Sequence, residues 1–274
     1  MTNNETTDYP PTTWRLLLSP PTDGATNMAI DEAILHAVAK GKAPPTLRFY
    51  AWEPPCLSLG RAQKVSDVDS HALTSAGFDL VRRPTGGKAI LHIDELTYSV
   101  VAPETEPRVA GGILESYRRL STGLVRGLER LDVPGIIADQ QAARDHPKGP
   151  VCFEVPSDYE ITAKGQKLVG SAQMRAQKTM LQHGTLPLYG DIARICPLLT
   201  ALPDSDSVRA RATTVERALG KRISWDEAAE ALAAGFSETL NLHLKPDALT
   251  PEEQSQTKQL KAEKYATDTW TRRV

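Results

Sequence analysis

The chain has 274 residues, 40% of them hydrophobic, and a net charge of -2 from 32 basic and 34 acidic side chains. That length and apolar content suffice for one large domain, and the balanced charge gives no reason to expect nucleic acid or an anionic membrane as a partner. Three widely spaced cysteines without a CxxC pair, no leader and no apolar run near the ~20 residues of a membrane span predict a cytoplasmic protein with reduced thiols.

Met1 to Thr13 is polar, contains Pro10-Pro11 and reads as a flexible N-terminus. Trp14 to Leu18 reads as a short strand. Thr26 or Asn27 can cap a helix carrying Ile30, Ile34 and Val38 on one stripe, with Gly41 just past its end. Strands follow at Thr46–Tyr50, Cys56–Gly60, Asp79–Arg83 and Leu91–Val101, most of them bounded by Pro or Gly. Ile113 to Leu131 is a helix with Tyr117, Leu120, Leu124, Leu128 and Leu131 at helical spacing. A polar loop from Asp139 to Gly149 leads to Cys152. A β-hairpin from Tyr159 to Gly170 and a strand from Gln182 to Leu188 come next. Ser224 and Glu227 fit a capping box for a helix carrying Leu232, Phe236 and Leu240, and Pro251 opens the last helix. Without a regular βαβ alternation, the fold class expected is α+β.

Two segments carry chemistry. Cys152 follows a polar loop and precedes the hairpin that contains Lys167. A nearby ammonium lowers the thiol pKa from about 8.5, and the thiolate can accept and pass on an acyl group. Alternation along the strand would place Lys167, Val169 and Ser171 on one face; the alternative is a solvated strand lysine. Cys56 and Cys196 lie in apolar stretches and read as small buried hydrophobes.

The second segment is Arg82-Arg-Pro-Thr-Gly-Gly-Lys-Ala-Ile-Leu-His92. Paired glycines let a ligand approach the main chain, and amides exposed there can bind a carbonyl or oxyanion. Arg82 and Arg83 could hold an anionic or carbonyl group. The alternative is an ordinary Gly-Gly hairpin turn with solvated arginines. His92 and His183 could donate hydrogen bonds, act as a general base, or be purely structural. No GxxxxGK[ST] or strand-borne GxGxxG occurs, which weakens an ATP-using enzyme without excluding it, because some adenylating folds use neither motif; no His/Cys/Asp spacing suggests a metal site, and the expectation is no cofactor and no metal.

Together these segments resemble the lipoate-protein ligase and octanoyltransferase superfamily, related to biotin protein ligase. The resemblance runs from Asn27-Met-Ala-Ile-Asp-Glu-Ala33 through Pro45–Trp52, Arg82–Gly87 with His92, Lys167–Gln173 and Gln182–Gly184 to Tyr265. Cys152-Phe-Glu-Val-Pro-Ser157 and Asp94–Val100 look most like the cysteine-dependent octanoyltransferase branch. The resemblance implies mixed, mainly antiparallel sheets with flanking helices in a biotin/lipoate ligase-like catalytic domain. That single domain would span residues 14–274, with a core of about 41–249 and a C-terminal helix at 250–270.

The resemblance also implies the reaction. Octanoyl arrives on acyl carrier protein, Cys152 takes it as a thioester, and a lysine of a lipoyl domain, with glycine cleavage protein H expected, receives it as an amide. Lys167 would stabilise the thiolate. The substrate-binding set implied is Arg82, Arg83, Thr85, Gly86, Gly87, His92, Gly170, Ser171, Gln173, His183 and Gly184. Competing expectations are an ATP-dependent lipoate ligase, an amidotransferase between lipoyl domains, and a non-catalytic binder of acyl chains or lipoyl domains. Cys152 argues against the ligase, which tends to carry an Asn-Asp segment there, and so does the absence of roughly 100 further residues for a C-terminal domain.

Overall fold

The computed structural model describes residues 9–139 and 160–274. The strands in chain order are β1 Thr12–Leu18, β2 Thr46–Tyr50, β3 Cys56–Leu59, β4 Asp79–Arg82, β5 Ile90–His92, β6 Glu95–Pro103, β7 Ile136–Asp139, β8 Glu160–Ala163, β9 Gln166–Ala176, β10 Thr179–Pro187 and β11 Leu242–Pro246. The helices are α1 Gly24–Ala39, α2 Ser70–Ser75, α3 Ile113–Arg130, α4 Ser205–Arg211, α5 Val215–Leu219, α6 Trp225–Leu240, α7 Pro251–Leu260 and α8 Asp268–Thr271.

An eight-stranded sheet runs β11-β1-β2-β6-β10-β9-β8-β7, and a second sheet of three strands runs β4-β3-β5. Among the described residues, only the strand pairs β1–β11, β1–β2 and β3–β4 are parallel; the other six pairings are antiparallel. The α+β class with mainly antiparallel sheets is therefore the observed one. The local exceptions are β1-α1-β2 and β3-α2-β4, whose parallel strands are adjacent and joined by helical crossovers.

Pattern explains the layers. On β6, Leu96, Tyr98, Val100 and Ala102 point to one face, where α3 and α6 cover them with Leu120, Leu124, Leu128, Leu232 and Phe236. On the opposite face Val101 and Leu181 meet Ile30, Ile34, Leu35 and Val38 of α1. A separate cluster of Leu57, Leu59, Leu73, Ile195 and Leu198 fills the small sheet. Between the two sheets lies a fourth cluster of Met28, Tyr50, Trp52, Cys56, Val81 and Tyr265. The seam there is where the candidate site forms.

Several expected boundaries shift for physical reasons. The first helix is capped by Asp23, whose carboxylate accepts from Thr26 N–H at 2.9 Å, so it starts before the expected Thr26 or Asn27. The chain is engaged from Tyr9, not from Trp14: the Tyr9 ring lies under Arg108 and its carbonyl accepts from Asn241. The expected strand Leu91–Val101 is two strands. Asp94 takes φ 54° between them, and the chain passes there from the small sheet to the large one. The last helix is regular only to Leu260; a π-turn over Lys261–Tyr265 and the short α8 replace the expected run to 270. The capping boxes at Ser224–Glu227 and Thr250–Glu253 both form, with Pro251 in the first turn. Cys152 and its approach loop from residue 140 lie outside the described residues.

Candidate functional site

The loop after β4 does not make a hairpin. β4 and β5 flank β3 on opposite sides, so Arg83–Ala89 crosses from one edge of the small sheet to the other. The solvated-arginine alternative is excluded as well, since Arg82 and Arg83 are both buried. Arg82 donates to the carbonyls of Gly60, Gln63 and Thr271, at 2.6–3.0 Å, which ties the loop to the C-terminal segment. Arg83 donates to the carbonyls of Ser58, Gly86 and Lys88. Gly86, Gly87 and Lys88 form the exposed crest of the loop, and Gly87 sits at φ 95°, a region that suits glycine.

Beneath that crest is a narrow pocket with a cavity volume of about 30 Å³, partly open to solvent. Met28, Tyr50, Trp52 and Ile90 supply apolar wall; Gly170, Ser171 and Ala172 of β9 and His183 and Gly184 of β10 supply the facing wall. That volume is well below the roughly 300–1,000 Å³ of small-molecule sites, so the pocket must open to take an acyl chain. A wider groove lined by Pro20, Pro21, Ile93, Leu188 and Trp225 meets it at Trp52 but contributes no histidine, lysine or cysteine. The chemistry-bearing residues thus gather at the smaller pocket.

Of the residues singled out in the sequence, Arg83, Gly87, His92, Gly170, Ser171, His183 and Gly184 line this pocket together. Thr85 and Gly86 stand in the same loop, Thr85 bonded to His183 at 2.7 Å. Arg82 faces the C-terminal segment instead. Gln173 lies toward the α3 side, bonded to Ser116 and Gln182.

Lys167 is buried, 4% exposed, so it is not a solvated strand lysine. Its expected face needs correcting. The register slips between Ile161 and Thr162, and Leu168 and Val169 both enter the main core cluster. A bulge breaks alternation, so Lys167 does not share a face with Val169 and Ser171 by simple counting. Its carbonyl accepts from Thr213, which fixes the strand three residues before Gly170.

The polar machinery that sequence reasoning missed lies behind the pocket. Asp31 is fully buried on α1 and accepts four hydrogen bonds: from Arg48 at 2.8 Å, Tyr50 at 3.0 Å, Ser99 at 2.9 Å and His183 Nδ1 at 3.3 Å. Glu95 accepts from His92 Nδ1 at 2.7 Å and from the hydroxyls of Thr97 and Thr185. Trp52 stacks on His92 with centroids 3.9 Å apart and donates to Thr97. A signal existed: Asn27 and Asp31 are four apart on the inward stripe of α1, and Glu95, Thr97 and Ser99 alternate along a buried strand.

Burial works to raise the Asp31 carboxyl, but Arg48 and His183 outweigh it and hold it below the usual carboxylate range. Burial pushes the His183 imidazole below its ordinary 6.5, against the opposing pull of Asp31. Burial lowers His36 in the same way. For each histidine the unfolded chain binds a proton more readily than the folded one, so acidification favours unfolding. That stability is fully present well above pH 6.5 and is lost as pH falls below it. The melting temperature should therefore decline from pH 7.5 to 5.5; a flat profile would contradict these assignments, and His183→Gln should make the decline shallower. Burial also raises the Cys56 thiol well above its usual value, consistent with an inert core cysteine.

Among the described residues, no group of three His, Cys, Asp or Glu could hold a metal, and no helix is long and apolar enough to cross a membrane.

The geometry has close relatives. The octanoyltransferase LipM of Kyrpidia tusciae is 43% identical over 272 residues, covering 95% of this chain and 99% of that protein. That of Moorella thermoacetica is 44% identical over 277 residues, covering 96% and 99%. A crystal structure of lipoate-protein ligase A bound with ATP superposes with TM-score 0.79 at 28% identity over 95% of this chain and 98% of that one. A putative lipoate protein ligase from T. acidophilum with bound lipoic acid gives 0.78 at 28% identity, over 95% and 99%. The lipoyl protein ligase A/B catalytic domain matches residues 23–237, a span that takes in the helix carrying Asp31, the glycine loop and both walls of the pocket. With that match over most of its length, the chain belongs to the lipoyl protein ligase A/B catalytic domain family.

Proposed function

We propose that this protein moves an octanoyl group from octanoyl-acyl carrier protein, through a thioester on Cys152, to a lysine of a lipoyl domain, with glycine cleavage protein H as the acceptor named first. The coarser statement stands without proposal: relatives at about this identity over nearly the whole chain are octanoyltransferases, so the chain is an acyltransferase of lipoate biosynthesis. The observation that carries the finer reading is the apolar slot of Met28, Tyr50, Trp52 and Ile90 against the Gly170–Ala172 backbone, three residues from the buried Lys167.

The steps balance without an added reactant. The Cys152 thiolate attacks the carrier thioester, the C–S bond to the carrier breaks, and the carrier leaves as its thiolate. The lysine amine then attacks the Cys152 thioester, the new C–N bond replaces C–S, and the amine proton passes to the departing sulfur or to water. Thioester exchange is nearly isoenergetic and the final amide lies downhill, so ATP has no role. Each methylene buried in the slot contributes about 0.8 kcal/mol of binding. We read the catalytic unit as one domain that takes in β1 from Thr12, and its compartment as the cytoplasm, where the thiol stays reduced.

The test is intact-mass spectrometry of the protein mixed with octanoyl-acyl carrier protein. One added octanoyl, formed without ATP and lost on addition of a lipoyl domain, is the expected result. An enzyme that needs ATP and free octanoate or lipoate, and takes nothing from the carrier thioester, belongs to the ligase class instead.

A further inference from the structure

Both pocket histidines have their two ring nitrogens already engaged. His183 meets Asp31 through Nδ1 at 3.3 Å and Thr85 Oγ1 through Nε2 at 2.7 Å. His92 meets Glu95 through Nδ1 at 2.7 Å and Ser58 Oγ through Nε2 at 2.6 Å. The four partners are all buried. An ionised carboxylate can only accept, so each Nδ1 carries a proton and donates it. Ser58 Oγ also accepts from Arg83 Nη1 at 2.6 Å, and an arginine can only donate, so the Ser58 proton is free to be directed at His92 Nε2.

The two chains end on one loop. Asp31–His183 reaches Thr85 directly. Glu95–His92–Ser58 reaches Arg83, whose other nitrogen holds the carbonyls of Gly86 at 3.1 Å and Lys88 at 3.0 Å. The glycine crest over the pocket is thus braced from both flanks by a carboxylate, an imidazole and a hydroxyl in series.

We propose that His92 and His183 are struts rather than acid–base groups. Asp31 and Glu95 fix each ring as the Nδ1–H tautomer, and Thr85 and Ser58 convert that orientation into a preset position of the Arg83–Lys88 loop above the acyl group. Asp31, Glu95, Ser58 and Thr85 are positioning residues: they act through the loop and not on the reacting atoms. A carboxylate behind an imidazole is the usual device for fixing its tautomer, and here the far nitrogen is spent on the protein instead of being offered to substrate. Burial of His183, which disfavours its charged form, agrees with this.

The proposal rests on the octanoyl-transfer reading for its kinetic arm only. Long-range ¹H–¹⁵N spectra of histidine-labelled protein at pH 7.5, with His92→Gln and His183→Gln assigning the peaks, should show both rings protonated at Nδ1 and bare at Nε2. Either ring in the opposite tautomer, or as an imidazolium, overturns it. Thr85→Val keeps shape and removes the hydroxyl. It should lower kcat for octanoyl transfer by about 10- to 100-fold, the cost of a misplaced reacting geometry, with the melting temperature little changed, whereas Thr85→Ser should restore most of the rate. Thr85→Val at the wild-type rate overturns the proposal. A wild-type protein that transfers no octanoyl sinks the functional reading but leaves the tautomer measurement to judge the struts.

Discussion

Cys152→Ser should abolish the octanoyl adduct and cut turnover by a factor on the order of 10³ or more, the scale of losing a nucleophile. A hydroxyl is far less ionised than a thiol at neutral pH, so isosteric replacement removes the reactive species while leaving the shape. Lys167→Met should weaken the same step by a different route. It retains much of the stem and deletes the charge. On the proposed reading, Lys167 favours the Cys152 thiolate, and apolar surroundings alone would disfavour it. The pH midpoint for iodoacetamide alkylation of Cys152 should then lie below about 8.5 in the wild type and rise by about a unit in Lys167→Met. Lys167→Arg should recover little turnover, because a planar guanidinium does not fit where a compact, buried ammonium sits. Coincident midpoints for wild type and Lys167→Met would leave Lys167 without this role. A full octanoyl adduct on Cys152→Ala would move the nucleophile elsewhere.

What the sequence made legible follows the strength of local signals. Periodicity located α3, α6 and the strands around Tyr50 and His183, because amphipathic stripes and alternation are properties of neighbouring residues. The glycine loop was visible as a motif, but its topology was not. Whether Arg83–Ala89 turns back or crosses a sheet depends on β3 inserting between β4 and β5, a contact made by residues 20 or more positions away. The bulge at Lys167 was hidden for a related reason. Gln166-Lys-Leu-Val-Gly170 carries no glycine or proline at the slip, and alternation counted through it assigns the wrong face. Asp31 and Glu95 lay within segments that carried the family resemblance, yet neither received a role. A lone acid on an apolar stripe discloses its partners only after α1 has packed on the sheet and brought Arg48 and His183 to it. The short helices α2, α4 and α5 went unread because one or two turns hold too few apolar positions to show a period.

Gly235→Ala should destabilise the fold, lowering the melting temperature by roughly 4–8 °C, the shift that about 2 kcal/mol gives in a chain of this size class. α3 and α6 meet backbone to backbone. A Cβ at position 235 would stand 2.4 Å from the carbonyl oxygen of Gly123, 2.4 Å from the amide nitrogen of Gly127 and 2.8 Å from its Cα. Two effects compete. Alanine in place of a mid-helix glycine stabilises the helix itself by about 1 kcal/mol. Overpacking a filled core costs about 1–3 kcal/mol, and the upper end applies because backbone atoms, not the tip of a flexible side chain, must yield. The clash wins by about 2 kcal/mol, since the helices can separate only by lifting Leu120, Leu124 and Leu128 off the sheet. Gly123→Ala is the internal comparison: its Cβ would press mainly on the Phe236 ring at 2.8 Å, which can rotate in part, so its loss should be smaller. The α3–α6 layer covers the face of the large sheet opposite α1, where the pocket histidine His183 meets Asp31. The folded fraction of Gly235→Ala should therefore transfer octanoyl at close to the wild-type rate. A melting temperature at or above wild type would mean that the two helices do not touch through their glycines.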